Sequence, residues 1–449
     1  MFLRKYAPLL LSALLLTVLL LVFIAQTLNW NWNRTSLSAG AGPVVPADGE
    51  LMEPEPSELY ISVSLPPGEY EALMQRTNTF MLQYPHIQIA LHNDYPSADR
   101  YDRAVQLGAQ GSAPDVMLVN SSWVVPLAVQ GYLKPVDSLM SGDVLSDQLP
   151  ALIEPMKWNG YLWGAPESMD PYFLAWDELL LEQRGLSKPP GSWSEVLAAA
   201  DSLLAEQRRA EDSGDNRVYL TWLEEGDLTG LLMLLSRFDE DDRAWLRLDS
   251  SSEALLGRLS ELSSRSRVVA SGEEGGTEAL QELLENHRLL MAAMRWSDYV
   301  KLEPAIRERL MIERQSVQYP WLNSSSYVIA ASTRYEEDAM LWIQEMTGTA
   351  VGLKEMASRH ALPVRASLYG GQPNLLALAD RQPPDWWFDA LSVKPAPRTG
   401  MDNDPGWPIT WRAWEAAWKR AGAEADSFSA FADAMPALGA AQAHSDGQL

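Results

Sequence analysis

A chain of 449 residues exceeds the usual size of one domain, and a hydrophobic content of 47% is enough for a full core, so two lobes are expected and wholesale disorder is excluded. The formal charge of −25 argues against nucleic acid, whose capture rests on Lys/Arg–phosphate contacts, and against anionic lipid headgroups. The chain has no cysteine, which removes disulfides, thiolate metal sites and cysteine nucleophiles.

The N-terminal MFLRKYAPLLLSALLLTVLLLVFIAQTLNW carries Arg4 and Lys5 and then no charge until Arg34. Its apolar run from Tyr6 to Ala25 approaches the ~20 residues that a membrane-crossing helix needs. Trp30 and Trp32 suit the interfacial belt, and the basic residues place the N-terminus inside. An uncleaved anchor (residues 1–32) is the favoured reading and a cleaved secretory signal the alternative; either exports the rest of the chain. Residues 33–58, rich in Pro, Gly, Ala, Ser and acids, read as a solvated tether, and 436–449 as a loose tail.

The folded part begins with alternation over Leu59–Leu65, a strand pattern. Tyr70, Leu73, Met74, Phe80 and Met81 have helical spacing, and Pro85 stops that helix. A strand over Ile87–Leu91, a helix over about 101–110 and a short apolar run at Asp115–Val119 follow. Strand, helix, strand, helix, strand is an α/β signature. A helix over Val124–Gln130 closes at Gly131. Asn159-Gly160 predicts a tight hairpin, Pro166 a strand break, and Tyr172–Trp176 a buried strand with Asp177 capping the next helix. Ser192-Trp193-Ser194-Glu195 is a capping box for a helix running to about Arg209.

Signatures of chemistry are sparse. The five histidines are scattered, and no GxSxG, HExxH, P-loop or GxGxxG pattern occurs. Asp402-Asn403-Asp404-Pro405-Gly406 has part of a calcium-loop pattern but lacks the later ligands, so a turn is expected. Neither a catalytic set nor a metal or cofactor site is assigned.

Six segments in order carry a family resemblance: GSAPDVMLVNSSWVVPLAVQGYLKPVD, WNGYLWGAP, YFLAWDELLLEQRGLSKPPGSWSEVLAAADSL, HRLLMAAMRW, WLNSSSYVIAAST with EEDAMLWIQEMT, and HALPVR. Their sequence resembles the extracellular solute-binding proteins of ABC importers, in the carbohydrate-binding, maltose-binding-protein-like family. The resemblance implies an α/β fold of type II, with two lobes joined by chain crossovers and a ligand cleft between them. Carried over, lobe 1 would hold 59–155 and 323–367, and lobe 2 would hold 156–322 and 368–435. The sequence departs from the family in lacking the lipoprotein cysteine, in placing Asp177 for an asparagine, and in placing Ser324, Ser325 and Ser326 where glycines are usual.

A sugar packs its C–H face on an aromatic ring and offers hydroxyls to carboxylates, so tryptophan with Asp/Glu suits saccharide capture. Position and resemblance together give the ligand-binding candidates. Asn120, Ser122 and Trp123 follow the third strand, where open α/β sheets bind ligands, although a serine there could equally cap the helix. Glu167, Asp170 and Tyr172 follow the hairpin; Trp296 and Asp298 follow the LLMAAM strand. Trp321 and Asn323 lie at the return crossover, and Trp386 and Trp387 in the last part. Trp158, Trp163, Trp176, Trp193, Trp245 and Trp342 are expected in the core. The implied partners are a saccharide, mono- or oligomeric, the permease subunits of an ABC transporter, and the membrane through the N-terminal helix. A membrane-tethered sugar sensor is the alternative, and an exported glycoside hydrolase using two carboxylates a more distant one.

Overall fold

The computed structural model describes residues 55–434 except 97–98, 141, 210–217, 238–255, 258, 261–266, 271–275, 314–319, 349–360, 370–390, 392–405 and 423–427. The expected anchor, the tether as far as 54, Trp245, Trp386, Trp387, Asp402–Pro405 and the tail at 436–449 lie outside the described residues, as do the side chains of Trp193 and Trp321. The tether expected to reach 58 ends earlier, because Ser57 and Glu58 already belong to the first strand. Among the described residues no helix is long and apolar enough to cross a membrane. Residues from Pro56 onward form one compact unit built on two sheets.

The first sheet has the order β2-β1-β3-β13-β4, with β7 also on β13. Its strands are β1 (Ser57–Val63), β2 (Ile87–Asn93), β3 (Val116–Asn120), β4 (Leu133–Lys134), β7 (Ala165–Met169) and β13 (Ser324–Ala330). Strand β1 is parallel to β2 and β3, whereas β13 runs antiparallel to β3, β4 and β7. Helices α1 (Pro67–Gln83), α2 (Arg100–Ala109) and α3 (Val124–Val129) connect the early strands in right order for an α/β unit. Alternation in β1 turns Leu59, Ile61 and Val63 into the core. Gly131, at φ +77°, ends α3 as the sequence suggests.

The hairpin of β5 (Lys157–Trp158) and β6 (Tyr161–Leu162) turns on Asn159 and Gly160, both at positive φ (51° and 81°), which is the backbone a type I′ turn requires. Pro166 does not break a strand. It lies within β7, paired with Ser326 where the ladder shifts register between Ser325 and Ser326, a bulge that tolerates the missing N–H. Met156, Leu162 and Ala165 all join the core of the first sheet. The chain therefore leaves that sheet after Met169, not at the 155/156 boundary expected from the sequence, because β7 completes the first sheet before β8 begins the second.

The second sheet has the order β10-β9-β11-β8-β12. It comprises β8 (Tyr172–Asp177), β9 (Tyr219–Glu225), β10 (Arg267–Ala270), β11 (Leu289–Arg295) and β12 (Leu310–Ile312). Around it pack α4 (Glu178–Glu182), α5 (Trp193–Arg209), α6 (Leu228–Arg237), α7 (Gly276–Glu285), the short α8 (Trp296–Tyr299) and α10 (Trp407–Gly422); α9 (Glu336–Met346) belongs with the first sheet. The α5 start is capped from both sides: Ser192 Oγ accepts from Glu195 N at 3.4 Å, while Glu195 reaches past the Ser192 N–H that a capping box would use, to Gly191 N at 2.6 Å. Trp176 and Trp342 are fully buried, as expected of core residues, while Trp158 and Trp163 pack half-buried against each other with centroids 5.7 Å apart. The serines standing in for glycine find partners, since Ser326 Oγ and Ser121 Oγ hydrogen-bond at 2.7 Å inside the first lobe.

Candidate functional site

The chain passes between the two sheets at Asp170-Pro171 and returns through the 3-10 turn Pro320–Asn323. A third strand segment, at Leu362, exchanges backbone hydrogen bonds with Met169 (3.1 and 2.8 Å). The crossovers are stitched residue to residue. Asp170 N donates to Asn323 O, and Asn323 Nδ2 donates back to Asp170 O, each at 2.8 Å. Asn120, at the end of β3, donates from Nδ2 to Leu322 O at 3.0 Å. Its Oδ1 accepts from Ser122 N (2.8 Å) and Ser122 Oγ (2.7 Å), so it caps the turn leading to α3.

On the second-lobe side, Asp170 accepts from Ser297 N (2.8 Å) and Ser297 Oγ (2.6 Å). Burial raises the Asp170 carboxyl pKa in spite of those bonds. Tyr172 pairs in register with Arg295 across β8 and β11, and its hydroxyl donates to the Asp227 carboxylate. Asp227 in turn accepts from Gly230 N at 3.0 Å and caps α6; burial pushes its pKa up, with Glu415 adding repulsion. Arg295 is half-buried, which opposes its charge, yet Tyr172, Asp298 and Asp170 hold it firmly protonated. Its Nε donates to Asp298 Oδ2 at 2.6 Å, and Lys301 lies 3.3 Å from the other oxygen. Glu415, on α10, is raised by burial and accepts from Trp411 Nε1 at 2.9 Å.

The candidates from the sequence therefore divide. Asn120, Ser122, Asp170 and Asn323 converge in one hydrogen-bonded chain at the crossover, with Tyr172 and Asp298 in the charged cluster beside it. Glu167 lies half-buried in β7. Trp296, expected as an open ring, is 3% exposed and packs in the second core with its ring centroid 5.5 Å from Tyr299. It starts α8 directly after Arg295 ends β11, its backbone N–H donates to Pro171 O at 3.1 Å, and its ring joins the second core. The Trp123 ring has other neighbours, with Asp94 as the carboxylate of its cavity. It stacks edge-on against Tyr101 at 5.7 Å, has the Arg100 guanidinium 5.8 Å from its ring, and lines a shallow cavity of about 210 Å³ with Ser62 and Asp94.

Sequence reasoning missed Asp227, Arg295, Glu415 and the tryptophans of α10. A signal existed for α10, where Trp407, Trp411, Trp414 and Trp418 recur at helical spacing and cluster with centroids 5.3–6.4 Å apart for the first three. No group of three or more metal-ligating side chains occurs among the described residues.

Two sheets with packed helices, joined by chain crossovers that a polar cluster stitches together, give the mixed α/β fold of type II binding proteins. The model of the bacterial extracellular solute-binding protein family matches residues 75–374, and the chain belongs to that family. Solved structures share the fold at low identity. The maltose-bound MalE3 of T. maritima is 17% identical, covering 85% of this chain and 100% of its own, with a TM-score of 0.58. The sugar-binding protein MalE of Xanthomonas citri is 18% identical, with coverages of 87% and 100% and a TM-score of 0.60. An ABC-transporter solute-binding protein of Agrobacterium vitis S4, bound to D-mannitol, is 18% identical, with coverages of 86% and 99% and a TM-score of 0.58. Among curated sequences, a putative binding protein of Brucella abortus (strain 2308) is 23% identical over 95 residues, 21% of this chain and 23% of that protein.

Proposed function

We propose that this chain is an exported receptor that captures a saccharide between its lobes by hinge closure and delivers it to an ABC importer. One observation carries the reading: the seam between the lobes is built from hydroxyl-binding groups and not from a nucleophile with its base. Asn120, Ser122, Asp170 and Asn323 are linked by hydrogen bonds at the crossover, Asp298 pairs with Arg295, Tyr172 bonds Asp227 beside Glu415, and we assign Glu167 and Trp411 to the same surface. The proteins that share this fold include ones bound to maltose, D-mannitol and lacto-N-biose, which supports a polyhydroxylated ligand. Asp170 holds the hinge with the bonds described and keeps lone pairs for hydroxyls, since a carboxylate accepts about four bonds, whereas Asn120 has spent its Oδ1 on Ser122 and offers a ligand the second hydrogen of Nδ2. Trp123, Trp321, Trp386 and Trp387 remain the proposed stacking rings, and no catalytic role is proposed for any carboxylate.

Residues 1–32 are proposed as the anchor that keeps the receptor at the outer membrane surface beside its permease. A sensor that reports the same ligand to a membrane partner is the second reading, favoured by an apolar segment without the lipid-bearing cysteine. Isothermal calorimetry and thermal-shift titration with maltose, D-mannitol and lacto-N-biose test the proposal. Saturable binding that raises the melting temperature is expected, because a ligand selective for the native state stabilises it by about 2.7 kcal/mol at one hundred times Kd. The absence of saturation across mono-, di- and oligosaccharides would discard the saccharide reading.

A further inference from the structure

Helices α2 and α10 belong to different lobes, and each is fixed by buried residues on one face. Tyr101 and Ala104 root α2 in the first core; Trp407, Trp414 and Trp418 root α10 in the second. Between the rooted positions, α2 presents Asp102 and α10 presents Arg412. The two side chains, 310 residues apart in the chain, meet in a forked pair: Arg412 Nη1 donates to Asp102 Oδ2 at 2.7 Å and Nη2 to Oδ1 at 2.6 Å. Arg412 Nε points back to Pro408 O at 3.4 Å, which aligns the guanidinium along the helix toward its partner. The Lys134–Glu336 and Arg295–Asp298 pairs, by contrast, close within one lobe.

We propose that Asp102 and Arg412 form an ionic latch that holds the two lobes together and sets the balance between closed and open forms. The proposal rests on the reading of the chain as a hinge-closing receptor, but neither residue belongs to the set assigned to ligand. Three features suit a latch. The bidentate geometry is available in one relative placement of the helices, so the pair reports closure and not mere proximity. The side chains keep 55% and 29% exposure, so opening rehydrates both charges at little cost. Exposed pairs are individually weak, and a weak tie shifts a two-state equilibrium without locking it. Asp102 is held below its ordinary carboxylate pKa chiefly by the Arg412 hydrogen bond, in keeping with a charge that stays on at neutral pH.

The absence of cysteine makes spin labelling selective. Gln75→Cys on α1 and Glu282→Cys on α7, both exposed, place one label on each lobe of the full-length chain. Pulsed electron–electron distance measurement without ligand, at low salt, reads the closed and open populations. Arg412→Ala and Asp102→Asn are each expected to lower the closed-to-open ratio by about two- to five-fold, and 1 M salt to do the same in the wild type. The exchanged pair Asp102→Arg/Arg412→Asp is expected to restore the wild-type ratio, which a merely damaged fold would not do. An unchanged ratio in the single variants, a swap that stays at the single-variant value, or a wild type without a short-distance population would overturn the latch. A parallel maltose titration separates the two claims: failure of maltose to bind counts against the saccharide reading, while the ligand-free distances still decide the latch.

Discussion

Asp170, expected from the sequence to meet a ligand, is engaged by the protein itself. Its place after the hairpin suggests a ligand-binding acid, and its carboxylate accepts both the N–H and the hydroxyl of Ser297, 127 residues away. Sequence spacing carries no information about that contact, because a crossover brings the two segments together. Asp170→Ala should therefore lower stability as well as ligand affinity, leaving the Ser297 donors unmatched at a cost of about 1–3 kcal/mol. Asp170→Asn, which keeps an acceptor, should lose less, and urea denaturation of both variants distinguishes the hinge role from a role in ligand contact alone. Asp227 makes a complementary case, since burial raises its folded pKa above the unfolded value of about 4. With the folded pKa raised, the native state takes up the proton first as pH falls. Stability attributable to this group thus rises on acidification through the folded pKa and falls again as pH climbs back through it. Asp227→Asn keeps the acceptor for Gly230 N and removes the buried charge. It should be at least as stable as wild type at pH 7 and gain less between pH 7 and 4; a deficit at pH 7 that persists at pH 4 would contradict this account.

At the scale of elements, local chemistry was legible wherever the determinants lie within one turn. The Asn159-Gly160 hairpin appears as the sequence predicts, and the Ser192–Glu195 cap does so but for Glu195 taking the N–H of Gly191 in place of that of Ser192; neither needs a distant partner. Pro166 was misread because its missing N–H matters only in relation to the neighbouring strand, and there the ladder shifts register. Trp296 was misread for a similar reason: periodicity shows that a ring follows a strand, but not toward which side α8 turns it. Asp177 combines both levels. It caps α4 through Leu180 N at 2.8 Å, as its place before Glu178 suggests, and its other oxygen meets His287 Nδ1 at 2.8 Å, which no local pattern indicates. Asp177→Ala should cost about 0.5–2 kcal/mol for the cap, with a further loss for His287. Asp177→Asn preserves the cap, so the difference between the two variants in chemical denaturation isolates the helix term.

For the whole molecule the decisive feature is that the first sheet is not continuous in the chain. Strand β13 sits between β3 and β4 and also carries β7, yet it arrives only after the second lobe has been traversed. Helix α9 follows it directly and completes the same core: Trp342 is fully buried, lies 5.2 Å from the Tyr327 ring and reaches Thr77 Oγ1 at 3.4 Å. The α/β class was legible from the first three strands, because their order and apolar content are local, whereas the insertion of a late strand into an early sheet is a property of topology. A fragment spanning residues 56–168 should accordingly be unable to fold alone. It would leave the β3 edge unpaired, give β4 and β7 no strand to bond, and expose the pocket that Trp342 fills. Circular dichroism of the fragment is expected to show no cooperative thermal transition. Adding a peptide of residues 320–347 supplies β13 and α9 in trans and should restore a transition whose midpoint rises with peptide concentration, as mass action requires. If the fragment instead melted cooperatively by itself, the first lobe would be a self-sufficient domain and β13 an addition to it. The expected dependence on the late segment would mean that the lobes reach their native state together, so that the hinge forms as part of folding and not as a joint between finished halves.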